Sequence, residues 1–253
     1  MALLALEFPP VSHLIEWPDL FGSGLFAVNK VVLLMFLSVA VVFGVFATAG
    51  SRRSLVPTGV QNFAESVVEF VQDGIILQTM GPEGLKYTPF LLTMFSFIFV
   101  GNIFGIIPLI QMPVNARMAV PALLALLVWV IFLAVGIRHQ GFFGYFRSVM
   151  FPPGVPKALY VLVTPIELVS TLLVRPLSLA VRLFANMLAG HLLLASFAVI
   201  AAALFKATVV GAALPGALLV ALTGFEVLVA VLQAFIFTIL AAVYIGGAMH
   251  PEH

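Results

Sequence analysis

Seven polar or ionisable side chains, Glu167, Arg175, Arg182, Asn186, His191, Glu226 and Gln233, stand inside two long stretches of otherwise apolar sequence. An arginine at the centre of a bilayer costs about 2.5–3.5 kcal/mol, so such residues mark a functional path by default. The chemistry they offer is the handling of protons. Arginine is a fixed cation, asparagine and glutamine are amides, and histidine and glutamate are both titratable, the imidazole near neutral pH. Arg182 is the hardest to explain as structure, because "LAV" precedes it and "LF" follows it. Arg175, near a helix end, also fits snorkelling to the headgroups, and Glu167, close to Pro165, also fits an interface.

Helical spacing sorts these residues by face. At about 100° per residue, Arg175, Ser178, Arg182 and Asn186 fall within about 80° of one another and form one polar stripe. Ala185 and Ala189 flank the stripe, leaving room for another helix to come close. His191 lies about 180° around from Arg182 and faces a different neighbour. Glu226 and Gln233, about two turns apart, share a face of the second stretch. An antiparallel hairpin that sets Gln233 level with Arg182 brings His191 and Glu226 within about 3 Å of the same depth. They then form a proton-exchanging pair, or a hydrogen-bonded polar core without proton traffic.

The elements that must position these groups are membrane helices. Of the residues 63% are hydrophobic and 8% charged, with a mean hydropathy of +1.22. That composition does not fold into a water-soluble globule. The formal net charge of +1 argues against a nucleic-acid partner, and the absence of cysteine removes disulfides, thiolate catalysis and cysteine metal sites. No metal site and no cofactor are expected.

About 20 apolar residues span a bilayer as a helix. The first 27 residues carry acidic and proline interruptions and no basic leader, which reads as a non-cytoplasmic N-terminal segment rather than a signal peptide. Residues 28–157 are expected to hold a first span at 28–49, an amphipathic helix at 57–74, and further spans at 87–110 and 119–137. In the amphipathic helix Glu65, Glu69 and Asp73 recur at i+4 opposite Val60, Phe63, Val67 and Phe70, and Thr58 and Gln61 have capping-box spacing. It lies along the interface or packs on other helices. "GNIFG" at residues 101–105 has the small-xxx-small spacing of close helix approach. Residues 158–249 read as a hairpin of two long tilted helices, divided near Lys206, Gly211, Pro215 and Gly216. Residues 250–253 form a tail. Arg52, Arg53, Lys86, Arg138, Arg147 and Lys157 fall on one side against Arg117 and Lys206 on the other, so the positive-inside rule puts the N-terminus outside and the C-terminus in the cytoplasm. Direct insertion without a transit peptide favours a bacterial plasma membrane.

The stretch "RPLSLAVRLFANMLAGH", from Arg175 to His191, together with "LQAFIFTILAAVYI", from Leu232 to Ile245, resembles subunit a of the F-type ATP synthases. The order of the segments is also similar, from the first span through "GVQNFAESVVEFV" and "GNIFGIIP" to the two long helices. The resemblance implies an all-α polytopic membrane protein, not catalytic alone, that provides two offset half-channels; H⁺ is the expected ion, with Na⁺ the alternative because the ion is held mainly by the c subunit. It implies that Arg182 faces the carboxylates of a rotating c-ring. Asn186, His191, Glu226 and Gln233 match positions of the non-cytoplasmic half-channel. Ser170 and Ser178 fall on the side of the cytoplasmic one, with Glu167 and Arg175 as accessory groups. The implied partners are the c-ring, the peripheral-stalk subunit b, the other synthase subunits and the bilayer. Two departures stand out: Ala185 where the family often has glycine, and a His/Glu pair whose types are exchanged as His191/Glu226. A self-contained secondary transporter is the competing class; its signature would be repeated halves with broken helices, and no internal repeat is visible. A passive assembly scaffold is a third, and it would tolerate apolar replacements of the intramembrane polar residues.

Overall fold

The first span begins where Asn29 allows it to: its Oδ1 accepts from the backbone N–H groups of Val31 and Val32 at 3.1 and 3.2 Å, filling two of the unpaired donors at the N-terminus of a helix. The computed structural model describes Gly22 and residues 28–51, 54, 56–107, 110, 112–151, 156, 159–207 and 209–249. All the helices and turns discussed below lie within these residues. The N-terminal segment, the tail at 250–253, Arg52, Arg53, Lys157 and the side chain of Lys206 lie outside them.

The helices are α1 (Lys30–Ser51), α2 (Val60–Val71), α3 (Thr88–Ile103), α4 (Ala119–Gln140), α5 (Phe142–Met150), α6 (Tyr160–Val169), α7 (Arg175–Ala207) and α8 (Val209–Met249). A five-residue π turn, Gln72–Ile76, and the short helical turn Leu77–Thr79 follow α2. A 3₁₀ segment, Pro82–Tyr87, leads into α3, and a second π turn, Ser170–Val174, joins α6 to α7. Five helical stretches are long and apolar enough to cross a membrane: Lys30–Ser51, Pro82–Ile103, Ala119–Gln140, Tyr160–Phe205 and Gly211–Met249. The last two, 46 and 39 residues long, rise about 69 and 58 Å at 1.5 Å per residue against a hydrocarbon core about 30 Å thick. Helices of that length must tilt or bend to stay in the membrane.

The chain divides into two units. The first holds residues up to Val42, Phe97–Arg117 and Leu183–Gln233. In it Lys30 Nζ donates to the Ile110 carbonyl at 2.7 Å, tying the start of α1 to the loop after α3. Gly101 lies under Val114 and Asn115, and Gly105 under Pro113, where an added Cβ would come within 2.9 Å of the ring. The small residues of "GNIFG" therefore admit their own following loop, not a second helix. Side-chain size explains the difference, since the chain folds back at once and Asn115 Nδ2 donates to Asn102 Oδ1 at 2.7 Å.

The second unit holds Phe43–Ser96, Met118–Arg182 and Ala234 onward. In α4 the buried residues Pro121, Leu124, Ala125, Val128, Phe132, Val135 and Gly136 recur at helical spacing, while Leu123, Leu126, Leu127 and Val130 are exposed. This is the pattern of a span with one packed face and one lipid face. The end of α8 buries Ala234, Phe237, Thr238, Ala241, Ala242 and Ile245 on one side, and the three alanines and the threonine let neighbours approach. Phe70 of α2 meets Phe95 and Phe235 with ring centroids 5.6 and 5.8 Å apart.

One local expectation is corrected. No capping box forms at Thr58 and Gln61: Gly59, at φ 59°, takes the N-cap position without a side-chain bond. Gln61 Nε2 instead donates to Glu65 Oε1 at 2.9 Å and to the Ser54 carbonyl at 3.1 Å. α2 buries Gln61, Ala64 and Val71, while Phe63, Phe70 and the acidic residues are exposed. It is both packed and surface-lying. The two long helices part beside Lys206, at the start of the expected region: α7 ends at Ala207, and α8 begins at Val209 and runs on through Gly211, Pro215 and Gly216. Proline is tolerated there, within about two turns of the helix start, because membrane helices can absorb a missing backbone bond.

Candidate functional site

In the first unit the carboxyl of Glu226 lies directly against Gly190, the residue before His191. The register assumed from sequence, with Gln233 level with Arg182, sets Gly190 opposite Phe225; the contact falls one residue further on. A methyl at 190 would overlap the carboxyl oxygens of Glu226, so glycine is what admits an acidic side chain between the helices. Glu226 and Gln233 are 8% and 3% exposed, which places both inside the protein, while His191 is half-buried.

The polar stripe of α7 is turned outward. Arg182, Ala185, Asn186 and Ala189 are exposed, as are the apolar Leu177, Val181 and Leu193 around them. Leu179, Leu183 and Met187, on the opposite side, are buried. The face therefore combines one cation, one amide and two small residues within an apolar surface.

In the second unit a cavity of about 400 Å³ is lined by Ser170, Val174, Arg175 and Ser178 from one chain segment and Val243, Tyr244 and Gly247 from α8. The π turn Ser170–Val174 forms part of this wall. In it the N–H of Arg175 bonds to the carbonyl of Ser170, five residues back, and the extra residue per turn widens the helix locally. Turns of this kind are frequent at functional sites. The guanidinium of Arg175 stacks over the Tyr244 ring, 5.3 Å from the centroid, a cation–π contact. Phe132 supports the same ring at 6.1 Å. Ser178 Oγ donates to the Arg175 carbonyl at 3.0 Å. Glu167 is half-buried one turn before the cavity.

The structure thus brings Ser170, Arg175 and Ser178 to one cavity, sets Glu226 beside the neighbour of His191, and presents Arg182 and Asn186 on one outer face. Sequence reasoning missed Val243, Tyr244, Gly247 and Gly190. A tyrosine within an aliphatic run was a usable signal for Tyr244. The aliphatic Val243 carried none. Among the described residues no group of three His, Cys, Asp or Glu side chains could hold a metal ion.

These features define an all-helical polytopic membrane protein with polar groups set into its long helices. The chain belongs to the ATP synthase A chain family, whose family model it matches over residues 32–246. Proteins named ATP synthase subunit a are similar along nearly the whole chain. The one from Frankia alni is 43% identical over 96% of this chain and 87% of its own. That from Rhodopseudomonas palustris is 46% identical over 87% of each, and that from Nocardioides is 38% identical over 97% and 94%.

Proposed function

We propose that this chain is the stationary proton-translocating subunit of a bacterial ATP synthase membrane sector, working against a rotating c-ring and anchored by the peripheral-stalk subunit b. It makes no ATP by itself; it couples proton flow to rotation within the larger complex. The observation that carries this reading is the exposed face of α7, where Arg182, Asn186 and the small residues Ala185 and Ala189 are all exposed. Small residues let a second helix come close, and a fixed cation in an apolar surface suits a partner that brings carboxylates to it.

In this mechanism a proton enters from the non-cytoplasmic side past Asn186, His191, Glu226 and Gln233 and neutralises a ring carboxylate, which then turns into the lipid. After nearly a full turn the carboxylate reaches the cavity of Ser170, Arg175 and Ser178, with Glu167 nearby, and releases its proton to the cytoplasm. In sequence Arg182 falls between Ser178 of the one path and Asn186 of the other. It favours the ionised carboxylate and blocks direct passage, and its guanidinium stays protonated where a buried lysine can lose its proton. Each elementary charge moved yields about 2.3 kcal/mol per 100 mV, so several protons must act through rotation for each ATP.

Reconstitution separates this reading from a secondary transporter. Vesicles holding this chain alone should show no gradient-driven transport, and vesicles holding it with the c-ring and subunit b should pass protons. Transport by the isolated chain would overturn the proposal.

A further inference from the structure

The wall of the Arg175 cavity that belongs to α8 is held from outside the cavity, by the corner between α4 and α5. α4 ends at Gln140, and Gly141, at φ 75°, turns the chain directly into α5. From this corner Gln140 Nε2 donates to the carbonyl of Ala248 at 3.0 Å, across 108 residues of sequence. Ala248 follows the cavity residue Gly247 and lies in the last turn of α8, where carbonyls have no partner within their own helix. Ser148 Oγ sits 2.7 Å from Gln140 Oε1 and 2.9 Å from the Tyr145 carbonyl, with its one hydrogen serving the nearer acceptor. A donor at Oε1 leaves the Gln140 amide a single orientation, with its NH₂ toward Ala248. Tyr145, whose ring fills the slot left by Gly136, locks α5 in place. Burial pushes its hydroxyl pKa up, and the charge of Arg175 pulls it the other way, so the corner also lies within electrostatic reach of the cavity's cation.

We propose that Gln140, oriented by Ser148, is a positioning residue for the cavity: it fixes the last turn of α8 and so sets the opening between Arg175 on one wall and Tyr244 and Gly247 on the other. Its consequence for proton release rests on the reading of this cavity as the cytoplasmic half-channel.

The chain has no cysteine, so a single Val243→Cys in the assembled complex reports on the cavity. Its rate of modification by a small membrane-impermeant thiol reagent from the cytoplasmic side, and proton pumping before and after, would be measured with Gln140→Leu, Gln140→Glu, Ser148→Ala and Ser148→Thr. Leu and an ionised Glu both lack the donor to Ala248, and the modification rate should change by about fivefold, the factor carried by one net hydrogen bond. Ser148→Ala should change it in the same direction and Ser148→Thr should restore it, while a cysteine at exposed Val56 should react at an unchanged rate throughout. Equal rates at residue 243 in all these variants would overturn the positioning role. If the modified cysteine left pumping intact, the half-channel reading would fail, and the rates would still decide the role of Gln140.

Discussion

Glu226 depends on the absence of a side chain at residue 190. Its carboxyl occupies the space that a Cβ at Gly190 would take, so Gly190→Ala must displace it. A carboxyl at the end of a flexible side chain can move at little cost to stability, so the complex should still assemble; if the displacement falls on proton entry, synthesis should drop by roughly tenfold. ATP synthesis by vesicles under an imposed proton gradient measures this, and an unchanged rate would show that the carboxyl's position is immaterial. The pairing of His191 with Glu226 has its own test. His191→Leu and Glu226→Leu should each slow proton pumping, and the exchange His191→Glu with Glu226→His should restore more than either half of the exchange alone. Coupled neighbours differ from additivity by about 0.5–3 kcal/mol. Strictly additive losses in a pumping assay would show two residues working separately.

At the scale of elements, packing around single glycines and rings should govern stability. Gly136 leaves a slot for the Tyr145 ring, and Gly136→Ala should lower the stability of the detergent-solubilised complex by about 1–3 kcal/mol through overpacking. Thermal inactivation measures it, and an unaltered midpoint would mean that α5 adjusts freely. The spans and the polar stripe were legible in the sequence because hydropathy and helical periodicity encode them directly. The hairpin register was legible to one residue, since Gln233 and Arg182 gave it an anchor. The π turn was not. "STLLV" from Ser170 to Val174 has nothing that distinguishes an extra residue per turn from an ordinary helix, and the widening becomes visible only with α8 across the cavity. "GNIFG" was read for the right property, close approach, but which segment approaches depends on the fold-back of the Asn115 loop. Arg175 fitted snorkelling by its place near a helix end, and only the tertiary position of Tyr244 turns its guanidinium onto a ring.

For the whole molecule the proposed function entails an orientation and a partner in the membrane. The orientation proposed from the Lys/Arg distribution, with the end of α1 in the cytoplasm, predicts that Ser51, exposed at that end, reacts as Ser51→Cys with an impermeant reagent only from the cytoplasmic side; labelling only from outside would reverse the topology. The central claim is that the cation on the outer face of α7 couples a rotating ring to proton flow. The most direct test is ATP synthesis by vesicles carrying the assembled Arg182→Ala complex under an imposed proton gradient. Normal amounts of c-ring should purify with the variant, and synthesis should be abolished. Arg182→Lys should be severely impaired, since an ammonium lacks the planar five-donor fork. An assembled Arg182→Ala complex that made ATP at the unaltered rate would contradict the account.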